Sequence, residues 1–214
     1  MNIKHSFALW IVPKKAILKP ITNEEMQWKK SLSNERSREY AHSRGYVRDA
    51  LSYKWDMNPL DIPLFSPPSL PPELPKEFGY ISFSHCIDSL FIAWSPFKVG
   101  TDIERFDRFF NAKDIIEKVF SVEEKDFLNK YDDENIRRIS LSYWVRKEAA
   151  IKWQRGSLLK DMKSWVFNKK TNKIVNKKKG YKINSNFIKY KDWYIAISSE
   201  KNYENQNPII CQYE

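Results

Sequence analysis

The chain has 214 residues, 37 Lys and Arg against 27 Asp and Glu, and a formal charge of +10. Its 42% hydrophobic content, with 8 Trp, 11 Tyr and 13 Phe, excludes a disordered tail, because disorder goes with few aromatics and low hydrophobicity. Two cysteines are too few for a disulfide framework or a four-cysteine zinc site, and the positive excess calls for a polyanion: nucleic acid, an anionic membrane, a phosphorylated small molecule or an acidic protein.

The first apolar run, Ser6 to Val12, reads as a strand ending before Pro13. It falls well short of the roughly 18–20 apolar residues of a membrane span. With no small-residue cleavage site behind it, the expectation is a cytoplasmic protein without a signal peptide. Thr22 with Glu25 is a capping-box pattern and predicts a helix over Asn23 to Ser31. Ser33 is a second cap candidate, before a helix rich in arginine (Arg36, Arg38, Arg44, Arg48) that ends near Ser52. Tyr40, Val47 and Leu51 supply its apolar face. Seven of the chain's 11 prolines fall between Asn58 and Pro75, which predicts a stiff loop without regular structure. Gly79 to His85 and Ser89 to Ser95 read as a hairpin, and Lys98 to Glu104 as a further strand.

From Ala112 the pattern turns helical. A short helix covers Lys113 to Val119, Ser121 with Glu124 forms another capping box, and a long helix runs from about Asp133 to Trp153. The remainder is strand-like: Trp165 to Phe167, Lys173 to Val175, Tyr181 to Ile183, Asn186 to Tyr190 and Trp193 to Ser198. The Lys- and Asn-dense stretch 169–182 reads as a solvated hairpin turn. The order of elements predicts an α+β fold rather than alternating βαβ units.

Three patches carry chemistry. In a strand over Val99 to Glu104, residues two apart share a face, so Asp102 and Glu104 stand side by side while Ile103 faces the core. Adjacent carboxylates raise each other's pKa unless a cation lies between them, and oxygen ligands of this kind suit Mg²⁺ with phosphate and water. On the long helix Glu148 and Lys152 are i,i+4, which by itself reads as a routine surface ion pair. Ser84 and His85 close a strand and can donate to a phosphate; alone, His85 reads as a structural hydrogen bonder.

Taken in order, Ser84-His85, Gly100-x-Asp102-x-Glu104 and Trp144-x-x-Lys147-Glu148-Ala149-x-x-Lys152 resemble the signature of the 4′-phosphopantetheinyl transferases, the longer carrier-activating type fitting best. The match covers Ile81 to Lys152, and the arginine-rich helix resembles the family's N-terminal helix. The resemblance implies a monomer of two similar subdomains, 1–98 and 99–214, related by a pseudo-twofold axis, with antiparallel strands packed on helices and coenzyme A bound between the halves. It further implies transfer of the phosphopantetheine arm to a serine of an acidic apo carrier protein, releasing adenosine 3′,5′-bisphosphate. On this chain Asp102, Glu104 and Glu148 become the Mg²⁺ site, Ser84 and His85 phosphate contacts, and Lys152 the cation beside the pyrophosphate. Glu148 also becomes the base for the carrier serine, directly or through water. Phosphoryl transfer needs positioning and charge neutralisation more than covalent catalysis, and these residue types supply both.

The chain departs from the family pattern in one respect that matters. The loop expected to hold Gly-Lys-Pro reads Ser66-Pro67-Pro68-Ser69-Leu70, so its phosphate-binding lysine is absent and Arg36, Arg44 or Arg48 takes its place as the candidate. Thr101 stands where an aliphatic residue is usual, and Phe83 and Cys86 flank the Ser-His pair. Two other readings compete. One is a basic, aromatic-rich nucleic-acid-binding module; the other is a family member that binds coenzyme A without transfer. The transferase reading expects neither nucleic acid nor membrane as a partner.

Overall fold

The structure, a computed structural model, describes residues 7–201 and the backbone of 210–212. Six helices and nine strands are described: β1 (Ala8–Pro13), α1 (Asn23–Lys29), α2 (Asn34–Trp55), β2 (Tyr80–His85), β3 (Ser89–Ser95), β4 (Val99–Arg105), α3 (Ala112–Val119), α4 (Val122–Leu128), α5 (Asp133–Gln154), α6 (Leu158–Asp161), β5 (Trp165–Asn168), β6 (Lys173–Asn176), β7 (Lys182–Tyr190), β8 (Trp193–Ser199) and β9 (Ile210–Gln212). They form the expected α+β arrangement of antiparallel sheets packed against helices. One sheet has the order β2-β3-β1-β9 and the other β4-β8-β7-β6-β5.

Alternation along the strands divides the core. In β1, Trp10 and Val12 pack towards Val47, Ala50 and Leu51 of α2. Leu9 and Ile11 pack the other way, with Ile103 of β4 and Ile195 and Ile197 of β8. In β8, Tyr194 and Ala196 turn instead to Leu141, Val145 and Ala149 of α5. The layers therefore run α2, first sheet, second sheet, α5. Both faces of the inner strands are covered, which is why β1 and β3 read as unbroken apolar runs. Tyr40, Val47 and Leu51 of α2 are buried, as their spacing required.

Both capping boxes form. Thr22 N donates to Glu25 Oε2 at 2.9 Å and Ser121 N to Glu124 Oε2 at 2.9 Å. Each glutamate does a second job. Glu25 takes Arg48 of α2 in a buried pair at 2.9 Å, and Glu124 takes Lys147 of α5 at 2.6 Å. Each of the two 22-residue helices is thus tied, through a buried cation, to the capped start of a shorter one.

Several expectations need correction. The strands expected at Tyr181–Ile183 and Asn186–Tyr190 are one nine-residue strand. Polar Asn184, Ser185 and Asn186 interrupt the apolar pattern, but the ladder runs through them, with Asn184 opposite Ser199 and Ser185 opposite Ser198. Ser185 is fully buried and accepts from Arg146 of α5, which pays its desolvation cost. The proline loop contains a 3₁₀ turn, Pro59–Asp61, and a β-bridge between Phe65 and Glu73. The stretch 169–182 is two turns around strand β6. Helix α6 and strand β9, which runs parallel to β1, were not expected. Ser6, the first residue of the predicted N-terminal strand, lies outside the described residues.

Candidate active site

The site starts from an absence. A Cβ on Gly100 would lie 2.1 Å from Ala149 O and 2.2 Å from Trp153 N, so only glycine lets α5 rest directly on β4. That approach sets Lys152, one turn beyond Glu148, over Asp102. Lys152 Nζ donates to Asp102 Oδ1 at 2.7 Å and leaves Glu148 Oε2 at 3.9 Å. The pair expected along the helix surface is therefore mainly a bond between helix and strand.

Asp102 is 2% exposed. Its neighbour Ile103 is buried too, so both faces of β4 lie inside the protein and only one of them is apolar. From the edge of the first sheet, Ser84 Oγ donates to Asp102 Oδ1 at 2.6 Å and accepts from Lys152 Nζ at 2.7 Å. Ser82 Oγ accepts from Thr101 N at 3.0 Å and holds β2 against β4. Asp102 Oδ2 is buried and accepts no hydrogen bond.

The other carboxyl groups respond to this crowding. Burial, then the Asp102 charge, pushes Glu148 up to about 8, and a proton on Glu148 has Asp102 as its acceptor. Burial and Asp102 push Glu104 up to about 7, against the pull of Arg108, with which it pairs. Burial opposes the charge of Lys152, but Asp102 and Glu148 outweigh it and hold the ammonium above its ordinary value. Among the described residues, no three His, Cys, Asp or Glu side chains already converge as a metal cluster.

Two clefts flank these groups. His85 and Glu104 line one of about 620 Å³, with Arg105, Arg108, Ile87 and Phe109. Lys152 lines another of about 590 Å³, with Arg44, Lys98, Arg155, Tyr80 and Trp153. His85 is exposed at the end of β2, 3.7 Å from Glu39 of α2. The turn after it is fixed by Asp88, which accepts from Trp193 Nε1 at 2.9 Å, Arg105 Nη1 at 2.7 Å and Cys86 Sγ at 3.1 Å. This network locks the turn beside His85 to the end of β4. Sequence reasoning passed over it because its members are scattered from residue 86 to residue 193. Burial pushes the Cys86 thiol up to about 12, so it is an inert packing group.

The three candidate arginines have different fates. Arg48 is 2% exposed and its N–H groups are spent on Glu25 and on the carbonyls of Pro59, Ile62 and Leu64. It has nothing left for a phosphate, which corrects its expected role. Arg36 is exposed in the first turns of α2 and does not line the cleft that holds Lys152. Arg44 does line it, stacked 4.0 Å over Tyr40 and donating to Ser66 O of the proline loop at 3.1 Å. Lys147, inside the helix motif, is fully buried and donates to Val119 O, Met162 O and Glu124. Ser84, expected at a phosphate, is instead buried between Asp102 and Lys152.

The eight tryptophans are packing groups. Trp10, Trp94, Trp153 and Trp165 are buried and the other four partly buried, so none stands free as a stacking platform. No helix of the described residues is long and apolar enough to cross a membrane. A family model described as the 4′-phosphopantetheinyl transferase superfamily matches residues 98–203. No curated protein matches the chain.

Proposed function

The chain belongs to the 4′-phosphopantetheinyl transferase superfamily, and from that premise we propose that it moves the 4′-phosphopantetheine arm of coenzyme A onto a serine of an acidic apo carrier protein. The observation that carries this reading is the Asp102 carboxylate, held on one oxygen by Ser84 and Lys152 and open on the other, beside Glu148 and Glu104.

These residues fit a hard cation. Burial and then the Asp102 charge push Glu104 up to about 7 and Glu148 up to about 8, and a buried Asp102 oxygen has no donor, so a cation drawn in beside them would offset both effects. Mg²⁺ held by Asp102, Glu104 and Glu148 would neutralise charge on the pyrophosphate of coenzyme A. In the reaction the serine oxygen bonds to the phosphorus that carries the pantetheine arm, and the bond from that phosphorus to the oxygen of adenosine 3′,5′-bisphosphate breaks. Glu148 takes the serine proton. Lys152 faces the negative charge that grows on the leaving bisphosphate, in a site where fixed charges need no reorganisation.

Coenzyme A suits the cleft lined by Arg44, Lys98, Lys152 and Arg155, whose described lining has four cations and no carboxylate. Arg44 is the candidate for the 3′-phosphate. A chain of +10 also steers an acidic carrier towards itself. The nucleic-acid reading loses its main support with the tryptophans packed away.

The test incubates the protein with Mg²⁺, coenzyme A and a panel of apo carriers, fatty-acid, polyketide and peptide-synthetase types, and weighs each carrier by mass spectrometry. The expected result is a gain of one phosphopantetheine. No gain with any carrier overturns the proposal.

A further inference from the structure

Ser84 is the member of the site whose geometry departs furthest from a ligand contact. Its hydroxyl has one proton and two acceptor positions. The proton goes to Asp102 Oδ1 at 2.6 Å, and a lone pair receives Lys152 Nζ at 2.7 Å. Lys152 Nζ closes the triangle on the same Oδ1 at 2.7 Å. The residue is 7% exposed at the end of β2, and its neighbour His85 points outward. A phosphate oxygen needs a donor, and Ser84 has already given its only proton.

The triangle has a directional result. Both donors converge on Oδ1, so the Asp102 carboxylate cannot rotate without losing two charge-assisted bonds. Oδ2 takes neither of these donors and is left buried without a hydrogen bond. The three members sit on three elements, β2, β4 and α5, so the hydroxyl also fixes the edge of the first sheet to the helix that carries Glu148.

We propose that Ser84 is a positioning residue rather than a phosphate ligand: it pins the Asp102 carboxylate and the Lys152 ammonium to each other, leaving Asp102 Oδ2 alone to face a cation. This deepens the transferase reading and rests on it for the identity of the cation and of the substrate.

The experiment compares the full-length wild type with Ser84→Ala and Ser84→Thr. Calorimetry measures the Kd of coenzyme A, of dephospho-coenzyme A, which lacks the 3′-phosphate, and of Mg²⁺ added to the coenzyme A complex. Turnover is followed by carrier mass. For Ser84→Ala, the Kd values of both coenzymes should stay within about twofold of wild type. Mg²⁺ affinity and kcat should each fall about tenfold or more, the scale of one hydrogen bond to a charged group, and Ser84→Thr, which keeps the hydroxyl, should recover most of both.

A loss of affinity for coenzyme A alone would make Ser84 a 3′-phosphate ligand, and an equal loss for both coenzymes would make it a pyrophosphate ligand; either overturns the proposal. So does Mg²⁺ affinity that is unchanged in Ser84→Ala, or a wild type that binds no Mg²⁺. If the wild type binds both ligands but modifies no carrier, the transferase reading fails while the Mg²⁺ comparison still decides the role of Ser84. Should Ser84→Ala unfold, Ser84→Cys, which keeps the size but donates weakly, takes its place and should show the same separation of metal affinity from coenzyme affinity.

Discussion

Substituting Gly100 by alanine tests the arrangement most directly. The added methyl would lie 2.1 Å from Ala149 O and 2.2 Å from Trp153 N. Both are backbone atoms, so no side chain can swing aside. Ordinary contact begins at 3.4 Å, which requires α5 to lift from β4 by about 1.3 Å. Overpacking of this kind costs roughly 1–3 kcal/mol, and a rigid backbone neighbour argues for the upper end. For a chain of this length about 3 kcal/mol lowers the melting temperature by roughly 6–12 °C. The same lift stretches the 2.7 Å bond between Lys152 and Asp102 towards about 4 Å, past the roughly 3.5 Å at which it ceases to be a hydrogen bond. Misplacement by about 1 Å costs on the order of 100-fold in turnover. Scanning calorimetry and the carrier mass assay measure the two effects. A variant that melts within about 2 °C of wild type, less than 1 kcal/mol here, and modifies carrier at a similar rate would refute the claim that a bare Cα sets the height of the helix.

Lys147→Met leaves Glu124 charged and buried without its cation, and urea denaturation should show a loss of about 3–5 kcal/mol. Adding Glu124→Gln should recover part of that loss. Arg44→Ala should weaken coenzyme A binding about tenfold in calorimetry, whereas Arg48→Gln should lower the melting temperature and leave the affinity of the folded protein unchanged. Glu148→Gln should be more stable than wild type at pH 8. A carboxyl raised to about 8 in the folded protein binds more protons folded than unfolded, so wild-type stability falls as pH rises from about 4.5 to about 8. The glutamine variant lacks that slope, its advantage should vanish below about pH 4.5, and melting curves across pH would show it. Equal melting temperatures at pH 8 would contradict the crowding described at the site.

What could be read in the sequence was what local pattern controls. Thr22 and Glu25 stand at capping-box spacing, as do Ser121 and Glu124, and each helix begins where the box says. The periodicity of Tyr40, Val47 and Leu51 picks buried positions of α2, but from Tyr40 to Leu51 every residue except Arg44 is buried, so the helix is covered well beyond that one face. Strand β7 shows the limit, since Asn184, Ser185 and Asn186 are strand residues only because β8 and Arg146 satisfy them. At the site, the identities of Asp102, Glu104, Glu148 and Lys152 were legible, but their partners were not. Lys152 could bond along its own helix or across to β4, and Gly100, far away in the chain, decides which. The arginine-rich helix shows the same thing. Arg36, Arg44 and Arg48 are alike in sequence, but four residues further along α2 takes a side chain from cleft to core.

Glu25 and Glu124 carry a consequence for how the protein opens and closes. Each glutamate belongs at once to a local event, the start of a short helix, and to a distant one, the docking of a long helix 23 residues away in either case. Separating the long helix strands a carboxylate in a half-formed core, and unwinding the short one strands a lysine or an arginine. Intermediate states with one helix in place and the other gone therefore lie high in energy, so each pair should exchange its amide protons as one unit. In α5 that unit contains Lys147, next in the chain to Glu148, so amide exchange of the second pair reports on the segment that carries Glu148 and Lys152.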